Sequence, residues 1–301
     1  MVEVLWCSWH TLLIVSLAYA PEAFRVPSDT LLGEPDRQIV SRPSSKQDRM
    51  DFHDDRVLVT GASRGIGRAI AHEFADGGAQ VAVHYCSDQP AAEATLADLP
   101  GAGHVVVQAD VADAESCRDL IDDAAAALGG LDILINNAGI YDLHDVLEID
   151  YDEWRQAWQR TIQTNLIGPA NLMYCAARRM VENGGGKIIN VSSRGAFRGE
   201  PDAPAYGASK AGLNSLSQSF AKRLAPHGVF VGVVAPGFVE TDMAADLLAG
   251  AEGEEIRTQS PLNRVAQPSE IARVVAFLAS DGIGYLTGCI IDANGASYLR
   301  T

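Results

Sequence analysis

Residues 57–71, VLVTGASRGIGRAIA, decide the fold. The apolar run at their start predicts a buried strand, and the Ala/Ile-rich end predicts a helix. Gly61, Gly65 and Gly67 lie between the two, in the order G-x3-G-x-G. Such a turn lets the backbone approach a pyrophosphate, which the free N–H groups of a helix N-terminus can bind. The stretch therefore predicts a phosphate-binding βα unit, although its spacing differs from the general G-x-G-x-x-G fingerprint.

The same alternation of strand and helix continues to the end of the chain. Helical patterns cover residues 65–76, 89–99 and 114–128. Continuous apolar strands separated by helices are typical of a parallel sheet covered on both faces. Residues 50–301 are therefore predicted to form one doubly wound α/β domain of Rossmann type, with a parallel seven-stranded sheet. The strand candidates are RVLVTG, AQVAVHY, HVVVQAD, LDILINNAG, GKIINVSS, VFVGVVAPG and CIIDANG.

Residues 1–49 do not follow this pattern. Residues 4–20 are mostly apolar and end in Ala-Tyr-Ala, which resembles a signal-peptidase site, but Glu3 stands where a signal peptide carries positive charge. The segment is also short for a membrane span. Residues 21–49 contain four prolines and no apolar periodicity, which indicates a disordered linker. We interpret 1–49 as an extension, and rank a true start at Met50 ahead of a signal or anchor and of a functional extension.

Charge and cysteine content exclude several classes of protein. The formal net charge is −16, and only 4 Lys and 19 Arg oppose 39 acidic residues. A basic face for nucleic acid is therefore not expected, and we expect no membrane contact for the domain 50–301. A salt-adapted source is one hypothesis, and a GC-rich genome would also explain the arginine bias. The five cysteines form no CxxC pair and no Cys/His cluster, so we expect no metal site, no disulfide framework and a reducing, cytoplasmic location.

The end of the second strand bears on the choice of cofactor. In a dinucleotide-binding domain an acidic residue here binds the ribose 2′-hydroxyl and repels a 2′-phosphate. In VAVHYCSD the deciding position is Tyr85, which is not acidic, and Arg64 and Ser87 are candidates to meet a phosphate. NADP(H) is therefore favoured over NAD(H). Asp88 is the reason for caution, because a shift of three residues would place an acid at the ribose.

A second decisive stretch is PAYGASKAG, residues 204–212. On a helix, Tyr206 and Lys210 lie on one face, about one turn apart. A cation beside a phenol favours the phenolate, so Lys210 is expected to lower the pKa of Tyr206, as suits a general acid near neutral pH. The alternative is an ordinary surface pair.

Six motifs occur in the order and spacing of the short-chain dehydrogenase/reductase family: TGASRGIG, NNAG, TNLIG, INVSS, YGASK and APGFVETDM. From residue 56 onward the chain resembles that family, and looks most like bacterial 3-oxoacyl-[acyl-carrier-protein] reductases and their acetoacetyl-CoA reductase and sugar dehydrogenase relatives. The resemblance implies hydride transfer between a nicotinamide and a carbonyl or secondary alcohol, without a metal. It also implies a homo-oligomer, commonly a tetramer.

The resemblance assigns roles to four catalytic residues. Tyr206 matches the general acid/base, and Lys210 matches the residue that binds the nicotinamide ribose and lowers the pKa of the tyrosine. Ser193 matches the hydroxyl that orients the substrate carbonyl, so Ser193 and Tyr206 are the expected substrate contacts. Ser192 is the alternative, because neighbouring strand residues face opposite sides. Asn165 matches the residue that holds a water in a proton relay behind Lys210, and its other interpretation is a helix-distorting structural asparagine.

The resemblance also implies a set of cofactor contacts. Asp110 is expected at the adenine amino group with Val111 beside the ring, and Val239 and Thr241 at the carboxamide. Asn136 is expected to tie two strands together instead. The full set is Gly61, Ser63, Arg64, Gly65, Ile66, Gly67, Ser87, Asp110, Val111, Asn137, Ala138, Gly139, Tyr206, Lys210, Pro236, Gly237, Val239 and Thr241.

The substrate is less legible. A 3-oxoacyl thioester is the leading expectation for the substrate. Its acyl group could be carried by acyl carrier protein, a candidate partner, or equally by CoA. A sugar, polyol or secondary alcohol is the alternative substrate. A catalytically inactive regulatory protein would be expected to have lost Tyr206 or Lys210. Family members close the site with the segment at 243–264, where Arg257 and Arg264 are either carrier contacts or solvated charges. The pair Trp154 and Trp158 is expected in a core or subunit interface.

Overall fold

The computed structural model describes residues 50–250 and 253–300, without the side chains of Met243, Asp246 and Leu247. The predictions for residues 1–49 lie outside the described residues. The strands are β1 Arg56–Val59, β2 Gln80–Tyr85, β3 Val105–Gln108, β4 Ile133–Asn136, β5 Gly186–Val191, β6 Val229–Pro236 and β7 Ile290–Ala293. The helices are α1 Gly65–Asp76, α2 Gln89–Asp98, α3 Ala114–Leu128, α4 Tyr151–Ile162, α5 Gly168–Glu182, α6 Gly195–Arg198, α7 Pro204–Leu224, α8 Asp242–Ala249, α9 Gly253–Thr258 and α10 Pro268–Ala279. A π-helical turn, Gln163–Ile167, joins α4 to α5, and 3-10 turns occur at Ala225–His227 and Gly284–Leu286.

The seven strands form one sheet in the order β3-β2-β1-β4-β5-β6-β7. Every neighbouring pair is parallel, which confirms the predicted doubly wound sheet. The chain order reverses between β1 and β4. In sheets of this kind ligands bind at that reversal, outside the carboxyl ends of the strands.

Two hydrophobic layers cover the sheet, because successive strand side chains point to opposite faces. In β1, Val57 and Val59 join one buried cluster and Leu58 joins the other. Helices α1 and α10 pack together on the first face, and α3, α5 and α7 cover the second. Both faces of the sheet are therefore covered by helices, as the continuous apolar strands indicated.

Aspartates begin three of the helices. Asp88, Asp113 and Asp150 each accept a hydrogen bond from a backbone N–H of the first turn, at 3.1, 2.7 and 2.8 Å. These caps satisfy donors that the helix leaves free. The predicted bounds of α1 and α3 are confirmed, whereas α2 ends at Asp98 because Leu99 takes an extended conformation. No helix in residues 50–250 or 253–300 is long and apolar enough to cross a membrane.

Candidate active site

The predicted site residues converge at the carboxyl ends of four neighbouring strands. The glycine loop follows β1, the NNAG turn begins at the end of β4, Ser193 follows β5, and Pro236 ends β6. Helix α7, which carries Tyr206 and Lys210, packs against β6. The candidate site therefore occupies the sheet edge at the point where strand order reverses.

The glycine loop is closely built. Gly61 has φ +64°, a left-handed conformation that favours glycine. A Cβ on Gly67 would lie 2.1 Å from the carbonyl oxygen of Gly61, so only glycine fits where α1 starts. Arg64 precedes α1 in an extended conformation and makes no capping bond with its side chain. The loop thus has the close backbone path and the open helix N-terminus that a pyrophosphate requires.

His84 supports this loop from β2, and sequence reasoning missed it. Its Nδ1 accepts a hydrogen bond from the backbone N–H of Gly61 at 3.0 Å. Its Nε2 lies 3.2 Å from the carbonyl oxygen of Ala109, which makes Nε2 the protonated nitrogen. Burial lowers the pKa of His84 to about 4, so the ring is neutral at physiological pH. The available signal was a polar residue inside the buried strand VAVHY.

Thr60 ties the glycine loop to the NNAG turn and was also missed. Its Oγ1 accepts hydrogen bonds from the backbone N–H groups of Asn137 and Ala138, at 2.9 and 3.0 Å. In return, the side-chain amide of Asn137 donates to the carbonyl oxygens of Thr60 and Gly61. Asn136 donates to the side chain of Asn190 at 2.8 Å, which confirms that it ties β4 to β5.

The adenosine end of the predicted site lies at β2 and β3. Tyr85 ends β2, and Ser87 is exposed just beyond it. The carboxylate of Asp88 caps α2 through the N–H of Ala91, which gives it a structural role at that position. Asp110 is exposed, and one of its oxygens accepts from the N–H of Ala112 at 2.9 Å, while the neighbouring Val111 is buried.

Tyr206 and Lys210 lie on one face of α7, close to the end of β5. Lys210 is only 4% exposed, and its Nζ donates to the carbonyl oxygen of Val191 at 3.0 Å. The same Nζ lies 5.8 Å from the centre of the Tyr206 ring. Burial lowers the pKa of Lys210 to about 8. The surface-pair alternative is therefore wrong, because Lys210 is buried and Tyr206 is half-buried.

The expected lowering of the Tyr206 pKa is also wrong for the chain by itself. Burial of the phenol raises the pKa of Tyr206, because a buried phenolate loses its hydration. A hydrogen bond with Ser193 lowers it in part, and the charge of Glu200 raises it further. Lys210 points its ammonium at a backbone carbonyl, which explains why the predicted effect is absent. Tyr206 is consequently a protonated donor at neutral pH.

The side chains of Ser192 and Ser193 have different partners, as expected for neighbouring residues at the end of a strand. Ser193 bonds to Tyr206, and its Oγ accepts from the N–H of Gly195 at 3.0 Å. Ser192 is buried and donates to the carbonyl oxygen of Lys210 at 3.3 Å. Ser193 is therefore the hydroxyl placed beside the phenol.

Asn165 lies in the π-helical turn between α4 and α5, so it does distort a helix. Its Oδ1 accepts from the N–H of Ile140 at 2.8 Å, and its Nδ2 donates to the carbonyl of Ile140 and to Ser209. The side-chain amide thus braces the loop after β4 against α7. The water-relay role of Asn165 stays a prediction.

The loop after β6 approaches the glycine loop. Gly237 donates to the carbonyl oxygen of Ala293 at 3.1 Å, and Val239 is buried. A Cβ on Gly65 would lie 3.3 Å from the methyl group of Thr241. The residues predicted to contact nicotinamide therefore lie next to those predicted to contact pyrophosphate.

The two arginines considered as carrier contacts, Arg257 and Arg264, form hydrogen bonds within this chain. Arg264 makes two hydrogen bonds of 2.7 Å with the carboxylate of Glu270, and Arg257 donates to the carbonyl oxygen of Leu248 at 2.9 Å. Arg194, which was missed, is buried and donates to Gln259 and Ser297 at 2.6 and 2.5 Å. Arg194 directly follows Ser193, so its bond to Gln259 connects the candidate site to the segment that follows α9.

Two further groups line the candidate substrate side. The ring of Tyr141 packs edge-on against that of Tyr206, with centroids 4.9 Å apart. Burial raises the pKa of Tyr141 to about 12. The Glu200 side chain is 12% exposed and lies 3.5 Å from the guanidinium of Arg198. A phenol and a carboxylate thus lie close to the proposed proton donor.

Comparison with known proteins identifies the class. The family model described as "Enoyl-(Acyl carrier protein) reductase" matches residues 61–295. The chain belongs to the short-chain dehydrogenase/reductase family, and is an NAD(P)-dependent oxidoreductase that acts on CH–OH and C=O groups.

Individual relatives point to two kinds of substrate. The chain is 43% identical over 245 residues to 3-oxoacyl-[acyl-carrier-protein] reductase FabG of Staphylococcus aureus, covering 81% of this chain and 98% of that protein. It is 37% identical over 248 residues to the L-rhamnose 1-dehydrogenase (NAD(P)(+)) of a Sphingomonas species, covering 81% and 96%. A crystal structure of a short chain dehydrogenase from Burkholderia cenocepacia, in complex with NADP, superimposes with a TM-score of 0.74 at 34% identity, covering 82% of this chain and 98% of that one.

Proposed function

We propose that this enzyme is an NADP(H)-dependent reductase of 3-oxoacyl thioesters, carried by CoA or by acyl carrier protein. The observation that carries the proposal is a half-buried Tyr206 that is hydrogen-bonded to Ser193 and whose pKa is raised by desolvation, because a phenol that stays protonated can donate to an oxyanion. The 43% identity to a 3-oxoacyl-[acyl-carrier-protein] reductase supports the substrate class.

The chain's own residues divide the chemistry between them. The bound nicotinamide would supply a hydride to the substrate carbonyl carbon. The hydroxyls of Ser193 and Tyr206 bind the carbonyl oxygen and stabilise the negative charge that develops on it. Tyr206 then gives its proton to that oxygen. Lys210 holds the cofactor ribose. Asn165 keeps the loop after β4 in place against α7 and takes part in the relay that returns a proton to Tyr206.

The rest of the cofactor set fits a dinucleotide, and NADP in particular. The glycine loop can take its tight path into α1 only with glycine at position 67, because a Cβ there would collide with the carbonyl oxygen of Gly61. At the ribose, Tyr85 offers no carboxylate, and Asp88 is engaged as a helix cap. Exposed Arg64 and Ser87 remain available to a 2′-phosphate. The NADP complex of the structural relative supports the same preference.

A sugar, polyol or secondary-alcohol dehydrogenase is the second candidate function. It is favoured by the Glu200 carboxylate and the Tyr141 phenol, because both groups can hydrogen-bond several hydroxyls of one substrate. The negative charge at Glu200 would also oppose an anionic CoA or carrier group. The similarity to an L-rhamnose 1-dehydrogenase supports this alternative.

We also propose a homo-oligomer, with a tetramer as the expected state. Tyr151, Ile167 and Tyr174 are exposed along α4, the π-helical turn and α5. Large exposed apolar side chains on adjoining elements are typical of a subunit contact. Light scattering on the purified chain would give the number of subunits.

The substrate experiment compares the two candidates in one set of assays. NADPH oxidation is followed with acetoacetyl-CoA, and NADP reduction with L-rhamnose and a panel of polyols, each at low and high salt. Turnover of acetoacetyl-CoA supports the thioester proposal. Turnover of a sugar alone, lost in Glu200→Gln, would replace it with the second candidate. Binding of NADPH with no turnover of any of these substrates would contradict both.

A further inference from the structure

Helix α7 begins without a cap of its own. Ala203 precedes it and offers no side-chain acceptor, and Pro204 has no N–H. The N–H groups of Tyr206 and Gly207 both reach the carbonyl oxygen of Ala203, at 2.9 and 3.4 Å. The N–H of Ala205 is then the first-turn donor that needs a partner from elsewhere, since a buried donor without an acceptor is costly.

His144 supplies that partner from the loop between β4 and α4. The residue is 1% exposed, and its Nε2 accepts from the N–H of Ala205 at 3.0 Å. Its Nδ1 lies 2.7 Å from the carbonyl oxygen of Asp142, so Nδ1 carries the proton. Its backbone N–H donates to the carbonyl oxygen of Asp202 at 2.7 Å, and its ring packs edge-on against Trp154 at 5.6 Å. Three contacts thus hold the ring, and a fourth holds the backbone of His144.

We propose that His144 is a positioning residue that caps the catalytic helix and thereby keeps the start of that helix in place. The inference rests on the proton-donor role proposed for Tyr206, which directly follows Ala205. Without this acceptor the N–H of Ala205 would be buried and unpaired, and the first turn of α7 would be free to shift.

The loop that carries His144 also reaches the rest of the site. Ile140 is bonded to Asn165 through both of its backbone groups, and Tyr141 packs on the ring of Tyr206. Loss of the cap would therefore displace the phenol relative to Ser193, and small displacements of a reacting group reduce the rate strongly.

The charged groups around His144 come from three directions. Asp142 and Asp145 lie in its own loop, and Asp145 accepts from the N–H of Leu147. Arg160 of α4 donates to the carboxylate of Asp142 at 3.1 Å. Glu200 and Asp202 precede α7. A His144 variant leaves these five groups in place, so its effect on kcat can be assigned to the ring.

The test uses two replacements of matched size. His144→Gln can present an amide oxygen where Nε2 lies, whereas His144→Phe fills the space without an acceptor. We expect kcat to fall about tenfold in the phenylalanine variant, because displacement of a reacting group reduces the rate, with the Kd of NADPH within a factor of two of wild type. The glutamine variant should recover most of kcat, since its amide oxygen replaces the lost acceptor. His227→Gln, on an exposed histidine, is the control and should change nothing.

Two results would overturn the inference. One is a folded, NADPH-binding phenylalanine variant with wild-type kcat. The other, which remains available if that variant does not fold, is a folded, NADPH-binding glutamine variant whose kcat is about tenfold below wild type. If the wild type turns over no substrate, nitrogen-15 NMR of the histidine rings gives a separate readout: the inference expects the Nδ1–H tautomer for His144, with Nε2 hydrogen-bonded to the Ala205 amide, and the opposite tautomer would contradict it.

Discussion

Replacing His84 should remove a defined part of the acid sensitivity of folding. His84 is 1% exposed, accepts from Gly61 and is held by Ala109, and its burial lowers its pKa from 6.5 to about 4. The unfolded chain therefore takes up a proton below about pH 6.5, and the folded chain only below about pH 4. Between these values the unfolded state binds more protons, so this contribution is fully present above pH 6.5 and is lost as the pH falls towards 4.

The size of the effect follows from the shift. One pKa unit corresponds to about 1.4 kcal/mol, so the full loss is about 3 kcal/mol, of which about 2 kcal/mol falls between pH 7 and pH 5. His84→Asn removes the titrating group, and its amide oxygen can still accept from Gly61. The free energy of unfolding of the wild type should therefore drop about 2 kcal/mol further than that of the variant over this range.

Urea denaturation, followed by tryptophan fluorescence at pH 5, 6 and 7 and at one protein concentration, measures this difference. Groups that titrate in both proteins cancel in the comparison. His227→Asn, at an exposed histidine, should keep the wild-type slope. Parallel stability curves for wild type and His84→Asn would refute the reasoning, because they would mean that the buried ring takes up its proton as readily as the unfolded chain does.

Three further outcomes are expected. Since burial raises the pKa of Tyr206, kcat for carbonyl reduction should stay level through neutral pH, while kcat for alcohol oxidation should rise with pH. pH–rate profiles in both directions check this, and a level oxidation profile would contradict it. Gly67→Ala places a Cβ against the carbonyl oxygen of Gly61, so the Kd of NADPH should rise about tenfold in a folded protein. Fluorescence titration measures this Kd, and an unchanged value would count against the glycine loop as the phosphate-binding site. Tyr85→Asp should lower the ratio of kcat/KM for NADPH to kcat/KM for NADH at least about tenfold, because a carboxylate there repels a 2′-phosphate. Cys86→Ser, the control, should leave this ratio unchanged, and an unaltered ratio in Tyr85→Asp would place cofactor selection elsewhere.

The parts of the fold that were predictable rest on local signals. The glycines of residues 57–71 permit a tight strand-to-helix turn, and the structure has this turn, with Gly67 packed closely against Gly61. The bounds of α1 and α3 followed from apolar periodicity. Continuous β-branched runs were enough to predict a two-faced parallel sheet, whose topology the structure confirms.

The parts that were not predictable depend on contacts between distant segments. His84 meets Gly61 from 23 residues away, and His144 meets Ala205 from 61 residues away. No spacing rule connects such pairs, because the sheet and the loops bring them together. The pKa of Tyr206 was expected with the wrong sign for a related reason. The sequence shows a lysine one turn away, but only the fold shows that this lysine donates to the carbonyl oxygen of Val191 and that burial raises the pKa of the phenol.

The most direct test of the proposed chemistry compares wild type with Tyr206→Phe. NADPH oxidation by acetoacetyl-CoA is measured in both, together with the Kd of NADPH and the melting temperature. Tyr206 is proposed to deliver the proton, so kcat should fall at least about a hundredfold in the variant while NADPH binding and stability are retained. A folded, NADPH-binding Tyr206→Phe enzyme that keeps the wild-type rate would contradict the assignment of Tyr206 as the proton donor.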